Sequence, residues 1–195
     1  MHFGSLFDDS NSKDEQGDWG EFRVKNKILR IKDKLGECYL YNDVYIEIKS
    51  RIYQIEHILI TCNGIFVIET KAVSGKIIAN PLNKEWSSYV YGKHTTFVNP
   101  IYQNKLHIDA LRYIFGDGFD YHSIIVLTER NLPSGLPSNV INLRDLQDYL
   151  LSINSEHKLT SAEMNYFKTN LDDIQKQKIE FKKKHKEKLK YHNTI

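Results

Sequence analysis

Near the middle of the chain an apolar run, Gly64-Ile65-Phe66-Val67-Ile68, ends directly in Glu69-Thr70-Lys71. A strand buried by its Ile, Phe and Val residues has no reason to end in an acid and a base unless the pair is used. Side chains two apart share a strand face, so Val67, Glu69 and Lys71 point the same way. A Glu-x-Lys triplet alone is common, and the chain has three others, Glu47–Lys49, Glu156–Lys158 and Glu180–Lys182. Glu47 and Lys49 alternate with Ile46 and Ile48, as the outward charges of a half-buried strand do. The other two triplets lie in polar surroundings. Only residues 69–71 terminate an apolar run.

The run before it, Ile52 to Thr61, reads as a second strand, joined through Cys62-Asn63-Gly64. Asn-Gly is a strong hairpin signal. With Asn63 and Gly64 as the two turn residues, Cys62 faces Ile65, Glu69 faces Ile58 and Lys71 faces Glu56. Glu56, Glu69 and Lys71 then converge on one face from two strands. A register shifted by one would set Glu69 against His57 and scatter the cluster.

A helix predicted from Asp18, ended by Gly36, adds a further acid. Val24, Ile28, Ile31 and Leu35 form its apolar stripe, and Glu21, three before Val24, lies on the same stripe. If this helix packs on that sheet face, three carboxylates and one ammonium meet. Unpaired charge is costly to bury. A divalent cation with oxygen ligands, Mg²⁺ or Mn²⁺ rather than zinc, would neutralise the cluster. The competing reading is a salt-bridged patch on an exposed face.

The remaining elements follow from periodicity and punctuation. Residues 39–48 read as the first strand and residues 65–71 as the third. Residues 75–78 follow, then a loop at Asn80-Pro81, then a pair of short strands from Trp86 to Val98 around Tyr91-Gly92. Asn99-Pro100 opens a helix to about Phe115, with Asn as N-cap and Pro at the first position. Ser123 to Thr128 suits a strand buried on both faces. Val140-Ile141 is a short strand and Leu143 to Leu151 a helix. Thr160 and Glu163 make a capping box for another helix. Residues 174–192 form a lysine-rich helix or a disordered tail. The expected organisation is a polar leader (1–17), an α/β domain (18–155) and a helical, lysine-rich extension (156–195).

Composition sets the frame. The chain has 195 residues, 41% apolar and 27% charged, as an ordinary globular protein does. No apolar run is long enough to span a membrane, and no secretory signal is read at the N-terminus. Two cysteines, Cys38 and Cys62, make neither a disulfide framework nor a zinc site. A reducing, cytoplasmic location is the expectation. Net charge is only +2, so overall charge does not argue for nucleic acid. The charge is uneven, however: residues 176–190 hold eight lysines and two glutamates.

In order, Gly20-Glu21, Tyr53-Gln54-Ile55-Glu56-His57-Ile58, Gly64 to Lys71, Gly75-Lys76-Ile77, Trp86, and Asn99-Pro100 with Gln103 resemble the nuclease-related domain family, a branch of the PD-(D/E)xK nucleases. The resemblance covers roughly residues 17–130. It implies an α/β, restriction-endonuclease-like core, a mixed central sheet flanked by helices. It also implies DNA as substrate and Mg²⁺ or Mn²⁺ as cofactor. Carried over, Glu56 and Glu69 hold metal, Lys71 is the catalytic lysine and Glu21 the accessory acid. Gln54 and Gln103 are candidates for contacting water or phosphate. One residue departs from the pattern: the family usually has Asp where this chain has Glu56, and the extra methylene moves the carboxylate by roughly 1 Å or more. The implied activity is metal-dependent hydrolysis of DNA phosphodiesters, with a non-catalytic nucleic-acid-binding module as the alternative.

Other residues carry plainer readings. His57 alternates away from Glu56 and reads as packing or surface. His107, four after Gln103, shares its helix face and could approach the site, but reads first as a partly buried, hydrogen-bonded histidine. Trp86, Tyr89, Tyr91 and Phe97 read as sheet packing ahead of base stacking. The lysine-rich tail reads as a solvated helix or frayed end, with phosphate binding as its functional alternative.

Overall fold

Five strands dense in Ile and Val build the main sheet of the computed structural model, which describes residues 9–128 and 132–192. Their ranges are β1 (Cys38–Ile48), β2 (Arg51–Thr61), β3 (Gly64–Lys71), β7 (Tyr121–Leu127) and β8 (Val140–Asn142). The spatial order is β1-β2-β3-β7-β8. β1, β2 and β3 are antiparallel neighbours, and β7 and β8 run parallel to β3. Between β3 and β7 the chain makes a small antiparallel sheet, β4 (Lys76–Ile78), β5 (Glu85–Val90) and β6 (Lys93–Val98), then helix α3 (Pro100–Phe115). This is the mixed sheet flanked by helices of a restriction-endonuclease-like core.

Helices cover both faces. α1 (Asp9–Arg30) starts nine residues before the expected Asp18 and is followed by the short α2 (Lys32–Leu35), which Gly36 ends at a positive φ of 72°. Val24, Ile28 and Ile31 pack with Leu59, Phe66, Ile68, Ile124 and Val126, joined by Leu146 and Leu150 of α4 (Leu146–Ser152). On the other face, Ile108, Leu111 and Phe115 of α3 meet Ile58, Ile60, Ile65 and Val67. Asn99 caps α3 as predicted, its side chain accepting from the Ile101 N–H. The capping box of Thr160 and Glu163 opens α5 (Ser161–Lys176). α5 belongs to the same core: Met164, Phe167 and Leu171 are buried in the α3-side cluster, and the Phe167 ring lies 4.8 Å from those of Phe115 and Phe119. α6 (Lys178–His192) is helical and packs beside β1 and β2. Among the described residues no helix is long and apolar enough to cross a membrane.

The hairpin register differs from expectation. β2 and β3 pair Thr61 with Gly64 and Ile58 with Val67, so Cys62 and Asn63 are the turn residues. Gly64 takes a positive φ of 114° as the first residue of β3, and a Cβ there would meet the Asp120 carbonyl at 2.6 Å. The glycine is therefore required by the close approach of β7, not by the centre of the turn. The register is displaced by two residues, which leaves the paired side chains, 57–61 with 64–68, on their expected faces.

Phe167 lies beyond the expected α/β domain of residues 18–155, yet it packs in the core under β2 and β3. Phe167→Ala should lower unfolding free energy by about 3–5 kcal/mol, read from urea denaturation. A loss under about 0.5 kcal/mol, the level of a surface change, would mean that α5 is not part of the cooperative unit.

Candidate active site

The site forms where β2 and β3 part. Ile55 and Ile58 are three apart, yet both belong to the α3-side cluster; so do Val44 and, at its edge, Tyr41 on β1. Strict alternation slips there, at Asp43, which has a φ of 54°. The β2–β3 ladder ends at His57 and Ile68. Continued, it would set Glu56 opposite Glu69. Instead, the Thr70 N–H donates to Glu56 Oε2 at 2.6 Å. A carboxylate has replaced a strand carbonyl at the point of divergence.

Glu69 is wholly buried. Its Oε1 accepts from Lys71 Nζ at 2.6 Å, and Lys71 also donates to Gln103 Oε1 at 3.1 Å. Glu69 Oε2 has no hydrogen-bond partner among the described residues, and His107 Nδ1 faces it at 3.5 Å. α3 is tied to the strand behind by Asn104, whose Nδ2 donates to the Val67 carbonyl at 2.8 Å and to Ser123 Oγ at 2.9 Å. That bond fixes the helix that carries Gln103 and His107 against the strand that carries Glu69 and Lys71.

A pocket of about 280 Å³ opens beside this pair, lined in part by Glu21, Arg51, Gln54, Glu56, Gln103 and His107. Of the predicted site residues, Glu21, Gln54, Glu56 and Gln103 line it. Glu69 and Lys71 do not. They sit behind its wall, in contact with Gln103 and His107. Glu21 reaches the pocket by an unexpected route, because α1 packs on the opposite sheet face from α3. Gly20 permits this: a Cβ there would come within 2.7 Å of Ala72 Cβ, so only glycine brings α1 close to the end of β3.

Electrostatics follow from crowding acids in a shielded place. Burial, then the neighbouring Glu69, holds the Glu56 carboxyl well above its ordinary range, against the opposing pull of Lys71. Burial, then Asp43, Asp18 and Glu69, pushes Glu21 up to about 7. Burial works against the Lys71 ammonium, but Glu69 and Glu56 outweigh it and its pKa rises. Burial lowers His107 and, on the other face, His57, which falls to about 4 beside Asn42.

For His107 the second reading from sequence, approach to the site, is the one that fits, since it stands against Glu69. Its spacing of four from Gln103 is the available signal. Sequence reasoning misses other neighbours. Arg51 and Tyr53 line the pocket, with the guanidinium 4.9 Å from the ring centre. Asp43 accepts from Gln54 Nε2 at 3.0 Å. Nothing in the local pattern of β1 marks it.

Antiparallel strands splaying around a buried Glu-x-Lys pair, with helices on both faces, define a nuclease-like α/β domain. Residues 16–128, more than half of the chain, match the family described as nuclease-related domain, and the chain belongs to that family, within the PD-(D/E)xK superfamily. It is also similar to an uncharacterized protein of Bacillus anthracis, with 34% identity over 100 residues, 51% of this chain and 46% of that protein. The chain thus spans about half the length of that relative. No solved structure matches it.

The raised Glu21 pKa has a measurable consequence. A carboxyl with a higher pKa folded than unfolded holds its proton more tightly in the fold. The stability it lends is complete below its ordinary value of 4.5 and is lost as pH rises through about 7. Glu56 acts in the same direction. In EDTA, Tm should therefore fall across that window, and Glu21→Gln, which cannot titrate, should show a shallower fall. Equal slopes would mean that Glu21 titrates as it does in water.

Proposed function

We propose that this chain is a metal-dependent nuclease hydrolysing DNA phosphodiester bonds. One observation carries the reading: the wholly buried Glu69 carboxylate keeps one oxygen without a hydrogen bond at the place where Glu56, Lys71 and Gln103 gather. A buried carboxylate oxygen without a donor is expensive, and a cation is the partner such an oxygen fits.

The donors suit a hard cation. Among the described residues no group of three or more His, Cys, Asp or Glu is arranged to hold a metal. Mg²⁺ needs less than that, since it is commonly bound by one or two carboxylates, waters and substrate phosphate. Glu56 and Glu69 would hold Mg²⁺ or Mn²⁺. Such an ion, when bound, lowers the pKa of a coordinated water and draws charge from the phosphate.

The chain's own residues supply the rest. Lys71 is kept charged by Glu69 and Glu56. Two of its three donors are engaged by Glu69 and Gln103, leaving the third for a phosphate oxygen as negative charge develops. Gln103 lies in the first turns of α3, where backbone dipoles favour an anion. Gln54 and Arg51 line the pocket wall. Glu21, with its pKa near 7, can take or give a proton at neutral pH.

A second reading, a binding module without cleavage, is favoured by Glu56. It stands where the family usually has Asp, and its carboxylate is already engaged by the Thr70 N–H. One assay separates the two: plasmid and single-stranded DNA incubated with purified protein in Mg²⁺, Mn²⁺ or EDTA. The nuclease cuts only with metal, and Lys71→Ala loses on the order of 10²–10³ in rate, as when one preorganised charge-stabilising donor is removed. DNA retained in EDTA but uncut with either metal would select the second reading.

The cation is tested separately by thermal or urea melts. Mg²⁺ or Mn²⁺ at about 100 times its Kd should add about 2.7 kcal/mol of stability, and Glu69→Gln should abolish the gain. A wild-type protein that gains nothing from either ion would remove metal from the site.

A further inference from the structure

The lysine-rich helix α6 lies beyond the matched residues 16–128, yet it is not detached from the site. His185, on α6, lines the same pocket as Glu56, Arg51 and Gln103. Its ring meets the buried Tyr45 edge-on at 5.9 Å. Lys178 Nζ donates to the Asn42 carbonyl at 3.1 Å and lies 3.5 Å from Asp43 Oδ2. Lys182 lies 3.8 Å from the same oxygen. Asp43 in turn holds Gln54 of the pocket. The start of α6 is thus moored at Asp43 of β1, beside the pocket.

From that mooring the helix carries the densest positive charge in the chain. Residues 176–190 hold eight lysines against two glutamates. Lys183 is exposed, Lys182 is half-buried, and Lys184 is half-buried and pairs with Glu180 at 2.7 Å. The pocket has the opposite character, with Glu21 and Glu56 at its wall and Glu69 behind. A phosphate backbone approaching three acids needs cations nearby to hold it. Arg51 is one in the lining; Lys183 and Lys184 of α6, just before His185 of the same lining, are two more. At 1.5 Å per residue its 15 residues run about 22 Å, a length of roughly six nucleotides at 3.4 Å per strand step.

We propose that α6 is a backbone-gripping arm for nucleic acid, which holds phosphates next to the pocket without reading sequence. The proposal rests on the nucleic-acid reading of the site, and adds that the grip is made by an element outside the family domain. Lys178 and Lys182 set the arm's position through Asp43; Lys183 and Lys184 face the phosphates.

The test is fluorescence anisotropy of the full chain with labelled single- and double-stranded oligonucleotides, in EDTA, across about 50–200 mM salt. Wild type is compared with the double variant Lys183→Gln, Lys184→Gln, which leaves the Lys178 and Lys182 mooring in place, and with the corresponding double Arg variant. The Gln variant should bind on the order of tenfold more weakly at low salt. Its plot of log affinity against log salt should be shallower by about 0.9 for each duplex phosphate that is no longer neutralised. The Arg variant should keep the wild-type slope, which a merely structural lysine would not require. Circular dichroism and Tm check folding, and Lys183→Glu alone, at an exposed position, gives an independent reading of slope. A Gln variant with wild-type affinity and slope, in a protein that binds and cuts DNA, overturns the arm and leaves the nuclease intact. A wild-type protein that binds neither oligonucleotide overturns both.

Discussion

A carboxylate with no exposure to water is among the most demanding groups a fold can hold, and Glu69 is such a group. Its ammonium partner is two residues along the same strand, 2.6 Å away. Ionised groups cost several kcal/mol each to bury, and the pair recovers that only with close geometry and further hydrogen bonds. Gln103 supplies one such bond from α3. One Glu69 oxygen stays without a donor. The position of α3, the end of the β2–β3 ladder and the high proton affinity of Glu56 are all arranged around this pair.

The surrounding structure follows from keeping that pair in place. Asn104 pins α3 to the backbone of β3, so Gln103 and His107 cannot drift from Lys71 and Glu69. Gly20 lets α1 come close enough to β3 for Glu21 to enter the same pocket from the other layer. At Asp43 the alternation of β1 and that of β2 slip together. The Glu56 carboxylate then takes the Thr70 N–H that a continued ladder would have claimed. Each is a short-range constraint, and together they draw acids from three segments toward one ammonium.

Much of this is legible in the chain because it depends on parity. Glu69 and Lys71 share a face whatever the rest does, since strands repeat every two residues. The turn sits one residue earlier than Asn-Gly suggests, which moves the register by two. A shift of two preserves parity over the paired residues. Glu56, however, lies one residue past that ladder, where alternation slips, and reaches β3 through the Thr70 N–H. The placement of Glu21 is less legible. Its apolar stripe identifies a packed helix, but a stripe does not say which side of a sheet it packs on. α1 lies on the face away from α3, and Glu21 arrives around the end of the strands. His107 is ambiguous for another reason: a histidine beside apolar helix residues looks the same in sequence whether it meets a backbone carbonyl or a buried acid.

Local pattern therefore determined the strands, the capped helices, the glycine-dependent turns and the pairing of Glu69 with Lys71, because hydrogen-bond periodicity and side-chain direction act within a few residues. Tertiary structure alone decided three things. It set Glu69 and Lys71 behind the pocket wall rather than in it, broke the strand alternation at Asp43, and folded the segment after residue 156 into the core and against the site. Those outcomes depend on which surfaces, distant in the chain, bury each other best, and no window of sequence contains both partners.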